Sequence, residues 1–300
     1  MSTIAAAARP ILISTDAKNE ADDQFAIVHA LLSPTLEVRG ILPAHFGAPG
    51  SRAASTAEVD LLIDLLGDAA PRVEVADGAD GALSDASTPR PSAASAHIAA
   101  EVLTSERRVS IAVLGPLTDV ASALLERPDI VDHDPLVVWV GGPPYEGVVG
   151  YAPEFNLIND VAAANAVMAS GVEVWQIPMS VYTMIGVGHA ELEERLRGTS
   201  ALGDYLIDQL LAVNASIDYG PLELRSLGDS PAIGAVMNPL GARWSHQPPP
   251  RFTSAGELDG SHDPTRRIRV CESFDTRWLI EDMFAKLRAL GGRAKGAHER

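Results

Sequence analysis

What most constrains this chain is the order of its apolar runs. Short runs of strand length alternate with stretches whose apolar residues recur at helical spacing. The strand candidates are 10–15 (PILIST), 38–43, 72–76, 109–114, 136–140 (LVVWV) and 172–178, with a late one at 268–272. The helix candidates are 23–33, 56–66, 95–103, 117–125 and 161–170, and an amphipathic terminal helix at 276–290. Strands alternating with helices predict an α/β fold, a mostly parallel central sheet flanked by helices. No repeat or linker divides the chain, so residues 1–290 read as one domain. Beyond 181 the pattern is mainly helical, 241–265 reads as irregular loop, and 291–300 is a polar tail expected to be disordered.

In such sheets ligands bind beyond the carboxyl ends of the strands. Polar or glycine-rich sequence follows four predicted strand ends, at 16–23, 43–47, 115–119 and 141–156. Topology alone therefore directs attention to these loops. Composition narrows the ligand. With 40 acidic against 23 basic residues, the formal charge is −17. Nucleic acid is excluded as an expected partner, because phosphate binding needs an excess of Lys and Arg. One cysteine, Cys271, allows neither an intrachain disulfide nor a thiolate metal cluster. No window approaches the roughly 18–20 apolar residues that cross a bilayer, and the first residues lack a basic leader. The expectation is a soluble cytoplasmic protein acting on a small molecule.

The densest chemistry lies after the first strand. The segment STDAKNEADDQ sets Asp16, Glu20, Asp22 and Asp23 at a strand-to-helix junction. Acids at a helix start complement its dipole, which accounts for Asp22 and Asp23. Carboxylates on a short loop also converge on hard cations, which accounts for Asp16 at the strand tip. The local sequence leaves both open.

With three further segments, this loop resembles the inosine–uridine-preferring nucleoside hydrolase family. That family carries an aspartate at the end of its first strand and an Asp-Asp pair opening the next helix. Here five residues, AKNEA, separate Asp16 from Asp22, a longer form similar to a divergent branch. The segment VLGPLTDVA resembles the family's GPLTN-type turn, and PEFNLINDVAAA its EFN stretch. LGDSPAIGAVMNP resembles the segment that supplies the last metal aspartate.

The resemblance implies a Ca2+ ion held by Asp16, Asp23, the Leu114 carbonyl and Asp229. It implies Asp16 as the base that activates water, with Asp22, Asn19, Glu154 and Asn156 on the ribose. The reaction implied is hydrolysis of an N-ribosidic bond, by a homodimer or homotetramer. The chain departs from the pattern in three places. Gly228 stands where members carry a histidine beside the last aspartate. His45 and Ala48 lie in the loop where an Asn is expected, and His45 is the candidate to replace it at the substrate. Val148 replaces another Asn, while Tyr145 and Tyr151 offer rings for a base. Two literal His-Asp-Pro runs, at 133–135 and 262–264, are read as decoys. Alternatives are a divergent enzyme for another glycoside or modified nucleoside, and a calcium-dependent nucleoside- or sugar-binding protein without turnover.

Overall fold

A computed structural model of the chain describes residues 8–145, 153–217 and 221–298, the last of these with side chains to residue 291. The strands are β1 (Arg9–Thr15), β2 (Leu36–Pro43), β3 (Ser110–Val113), β4 (Leu136–Val140), β5 (Glu173–Ile177), β6 (Gly186–Gly188), β7 (Leu224–Ser226), β8 (Ala242–Gln247), β9 (Pro250–Phe252), β10 (Leu258–Ser261) and β11 (Ile268–Phe274). The helices are α1 (Asp23–Leu31), α2 (Ser51–Leu66), α3 (Ala93–Thr104), α4 (Thr118–Glu126), α5 (Phe155–Asn159), α6 (Val161–Ser170), α7 (Met179–Tyr182), α8 (His189–Leu196), α9 (Ala201–Ser216), α10 (Ser230–Met237) and α11 (Thr276–His298).

The main sheet has seven strands in the order β2-β1-β3-β4-β5-β11-β8. All its pairs are parallel except β11 with β8, so the mostly parallel α/β fold of the sequence reading is what forms. Both faces are covered, which is why the central strands read as unbroken apolar runs. Alternation along β1 divides the core. Ile11 and Ile13 pack with Phe25, Leu62, Leu206 and Phe284 on one face. Leu12 packs with Ile98, Val113 and Trp139 on the other.

Differences from the sequence reading are local. The stretch at 72–76 contributes only a single bridge, Ile41 to Val75. Residues 242–247 are not loop but the antiparallel edge strand β8, with Trp244 tilted against Trp175 at 5.1 Å. The terminal helix runs to His298, past Gly291, where the tail was expected to begin. Among the described residues no helix is long and apolar enough to cross a membrane.

The topology puts the ends of β1, β3, β4 and β5 on one side. Register aligns Ser14 with Val113, Val113 with Trp139, and Trp139 with Gln176, so the four strands finish level. The two His-Asp-Pro runs sit elsewhere. Asp134 precedes β4 at its amino end, and Asp263 closes its own turn by accepting the Thr265 N–H at 2.8 Å.

Candidate active site

Asp16 follows the last residue of β1, and the loop behind it folds back on itself. The Asn19 N–H donates to the Asp16 carbonyl at 2.8 Å. From α2 the buried Glu58 holds the same loop, accepting Lys18 Nζ at 2.7 Å and Gln24 Nε2 at 3.1 Å. Asp22 occupies the N-cap of α1 and Asp229 that of α10, yet neither side chain makes a capping hydrogen bond. In both, only the backbone carbonyl enters the helix: Asp22 O accepts Phe25 N–H at 3.1 Å, and Asp229 O accepts Ala232 N–H at 3.1 Å. Capping therefore does not explain these carboxylates.

They turn instead toward one another. One carboxylate oxygen each from Asp22, Asp23 and Asp229 lies within 4.8 Å of the others. Asp16 stands beside this trio, buried, and its Oδ2 has no hydrogen-bond partner among the described residues. Burial, then the neighbouring Asp23, raises the Asp16 pKa well above the ordinary carboxylate range. Asp229 is raised likewise by burial and by Asp22 and Asp23. Burial with Glu20 and Asp23 lifts Asp22 to about 8, while burial lifts Asp23 to about 6 against a hydrogen bond from Thr15. Like charges crowded out of water cannot all ionise unless something positive joins them. Hard oxygen donors converging on one point, one of them orphaned, fit a divalent cation of the Mg2+ or Ca2+ type. The expected ligand set included Asp16 and assigned Asp22 to the sugar; the trio of closest oxygens contains Asp22.

Close backbone approach makes this corner possible. A Cβ on Gly115 would sit 2.7 Å from Asp16 Oδ1, so the β3–α4 turn reaches the carboxylate only as glycine. Trp139 Nε1 donates to the Gly115 carbonyl at 3.2 Å and holds the turn from below. The preceding carbonyl, Leu114 O, accepts Asn156 Nδ2 at 2.8 Å, and the same amide reaches Val140 O at 3.0 Å. Both amide hydrogens are thereby used, leaving Oδ1 as the acceptor that Asn156 offers a ligand.

Glu154 has a different use from the one the resemblance implied. Its carboxylate caps α5, accepting the N–H groups of Asn156 at 3.1 Å and Leu157 at 2.8 Å. It also accepts Gly142 N–H at 2.7 Å and the Tyr182 hydroxyl at 2.9 Å. A carboxylate has about four acceptor sites, so all are taken. Gly142 presents its N–H from φ +88°, where a side chain is strained.

His45 is not at the cleft. It is fully buried, its Nδ1 accepts Gly47 N–H at 3.2 Å, and its Nε2 lies 2.9 Å from Thr118 Oγ1. Thr118 donates to Asp160 Oδ2 at 2.7 Å, so the ring must donate from Nε2 and is neutral; burial lowers its pKa accordingly. The substrate role expected of it is not supported by this placement. Tyr145 gives its hydroxyl to Gln176 Oε1 at 2.6 Å, and Val148 and Tyr151 lie outside the described residues.

The cleft itself, with a cavity volume of about 60 Å3, is lined by Asp16, Asn19, Asp22, Asp23, Leu114 and Asp229, with Glu154 and Asn156 opposite. Its wall also holds Glu20, Phe155 and Tyr182, for which the sequence reading had no role. Tyr182 was findable: it follows β5, whose carboxyl end belongs to the same side as the four inspected. Its ring fills the space at Gly228, where a Cβ would lie 2.9 Å from Tyr182 Cδ2. The arrangement can hold a hard cation, bind hydroxyls and accept a proton.

Comparison with known proteins gives the family. Residues 11–278 match the model of the family described as Inosine-uridine preferring nucleoside hydrolase. The chain is 30% identical over 224 residues to the Pyrimidine-specific ribonucleoside hydrolase RihA of Citrobacter koseri, covering 68% of this chain and 70% of that protein. It is 28% identical over 197 residues to Uridine nucleosidase 1 of Arabidopsis thaliana, which spans 58% of this chain but only 57% of the relative. In structure it is similar to the Purine-Preferring Ribonucleoside Hydrolase from Gardnerella vaginalis, with a TM-score of 0.80 at 20% identity, covering 94% of this chain and 99% of the other.

Proposed function

The chain belongs to the inosine-uridine preferring nucleoside hydrolase family and is an N-glycosyl hydrolase, and we propose that it splits the N-ribosidic bond of a ribonucleoside at the aspartate cleft with the help of Ca2+. The single observation that carries the reading is the convergence of Asp22, Asp23 and Asp229 beside the unpartnered Asp16 Oδ2. Asp16, Asp23, Asp229 and the Leu114 carbonyl would hold the ion, with Asp22 near enough to share it. Such an ion, when bound, would make water easier to deprotonate and favour the approach of hydroxyl oxygens.

The chain's own residues do the rest. Asp16 Oδ2 would take the proton of the attacking water, and among the described residues no hydrogen bond competes for it. Asn156 Oδ1 and the amide of Asn19 are the neutral groups that can orient sugar hydroxyls. Glu154 acts one step back: its contacts to Gly142 and Asn156 set the β4 loop and Asn156 itself. His45 is left out of the mechanism because both its nitrogens are engaged away from the cleft. Charge builds on the ribose as the bond to the base stretches, and the ring of carboxylates favours it. The same family reading supplies a cytoplasmic homodimer or homotetramer.

The test is metal analysis of the purified chain with a ribose-release assay across purine and pyrimidine nucleosides. Calcium at one ion per chain with ribose released is the expected result. Absence of any bound divalent ion at millimolar calcium would sink the metal reading. Calcium bound without release from any nucleoside would instead favour a binding protein.

A further inference from the structure

Position 228 carries no side chain, and the structure leaves no room for one. A Cβ there would meet Tyr182 Cδ2 at 2.9 Å and Asp22 Oδ2 at 3.2 Å. The tyrosine that takes this space is tethered at both ends. Its carbonyl accepts Ser226 Oγ at 2.7 Å, and its hydroxyl donates to Glu154 Oε1 at 2.9 Å. The phenolic proton is thus committed to a carboxylate on the far wall.

Nothing else in the lining is built to give a proton to a departing base. Asn19 and Asn156 are amides, and both amide hydrogens of Asn156 already meet backbone carbonyls. Asp22, Asp23 and Asp229 converge on one point, where a bound cation would keep them ionised. Among the described residues the lining holds no His, Lys or Cys. The stretches 146–152 and 218–220, outside the described residues, contain no His, Lys or Cys, and their hydroxyl-bearing residues are Tyr151 and Tyr219.

Charge adds a second, independent observation. Six carboxyls face the cleft: Asp16, Glu20, Asp22, Asp23, Glu154 and Asp229. Among the described residues only Glu20 forms an ion pair with a cationic side chain, that of Arg225. A divalent ion offsets part of the remainder and leaves the walls negative, a field that concentrates cations in a confined cleft. Phe155, 40% exposed, adds an aromatic surface to the same wall, and aromatic faces attract cations.

Resting on the hydrolase reading above, we propose that the preferred substrates are cationic N-ribosides: nucleosides whose base already carries a positive charge, such as 7-alkylpurine or pyridinium ribosides. The chemistry balances without a protein acid. Water oxygen forms the new bond to C1′, the C1′–N bond breaks, and its electron pair goes to the ring nitrogen. A cationic base becomes neutral by that step and leaves as a stable molecule. The water proton passes to Asp16 and then to solvent, so the products are ribose, neutral base and one proton. A neutral nucleoside would have to expel its base as an anion beside carboxylates.

The experiment compares inosine with 7-methylinosine, which differ by one methyl group and one charge, using the full chain with calcium and reading released ribose. A kcat/KM at least about 100-fold higher for 7-methylinosine is expected, after each is divided by its uncatalysed rate; that factor is the lower end of what a general acid contributes. Equal or faster turnover of inosine overturns the proposal and leaves the hydrolase reading intact. Release from neither overturns both. Tyr182→Phe keeps the ring against Gly228 and removes the proton, so the ratio between the two substrates should stay within about threefold. A collapse confined to inosine would make Tyr182 the acid and overturn the proposal.

Discussion

Two clusters of buried acids lie on this sheet's carboxyl side, and they are opposites. Around Asp119 and Asp160 nearly every oxygen has a donor. Asp160 accepts Leu83 N–H at 2.9 Å, Ala163 N–H at 2.8 Å and Thr118 Oγ1 at 2.7 Å. Asp119 accepts Ala79 N–H at 2.9 Å and Ser92 Oγ at 2.6 Å, with only Oδ2 unpartnered among the described residues. In the other cluster, carboxylate oxygens of Asp22, Asp23 and Asp229 face each other beside Asp16, and among the described residues Thr15, on Asp23, is the side-chain hydroxyl that donates to them. The first cluster ties loops to helix starts. The second is unfinished without a positive charge. Burial of an acid is thus no sign of function; a shortage of donors is.

The contrast breaks most visibly at Asp16. Asp16→Ala should cut ribose release by about 10³-fold or more, the scale of a lost general base, while the fold persists by circular dichroism. Full activity would remove Asp16 from the base role. Next in size comes Asp119, which burial lifts to about 6. Its native form holds a proton longer than the unfolded chain does, so stability falls as pH rises from about 4 through 6. Asp119→Asn restores the residue of the GPLTN-type turn. At pH 8 it should unfold less readily than the parent by on the order of 3 kcal/mol, with the gap closing below about pH 4. Urea unfolding at both pH values checks this, and a gap independent of pH would contradict it.

A slightly smaller effect separates the clusters by ligand. Calcium at 100 times Kd should stabilise the chain by about 2.7 kcal/mol, raising Tm by several degrees. Asp229→Asn should abolish that rise, and Asp119→Asn should leave it. The smallest effect is expected at His45. His45→Gln loses one or two hydrogen bonds, roughly 1–2 kcal/mol, and should leave kcat/KM within about twofold. A larger kinetic loss would return His45 to the substrate.

Sequence showed the fold wherever a strand was buried on both faces. β4 and α6 begin and end at the residues the apolar pattern marks, because both are continuous runs packed on the sheet. β8 was not legible: its residues, ARWSHQ, are half-exposed at an edge and neither alternate cleanly nor form an apolar run. At the site, Asp16, Asp22 and Asp23 were legible because spacing along the chain placed them at one strand-to-helix junction, whereas Asp229 was named only through the family resemblance. The use of His45 was not, since its partner Thr118 lies 73 residues away. Nor was the saturation of Glu154, which depends on Tyr182 from another strand end and on the Gly142 N–H.

Trp139 gives the corner an optical consequence. The indole is wholly buried, its N–H rests on the Gly115 carbonyl, and that glycine touches Asp16. Any rearrangement of the turn as a cation seats itself must alter the field on this chromophore. The protein therefore carries its own fluorescent gauge of occupancy, readable by titration without a dye, a label or turnover.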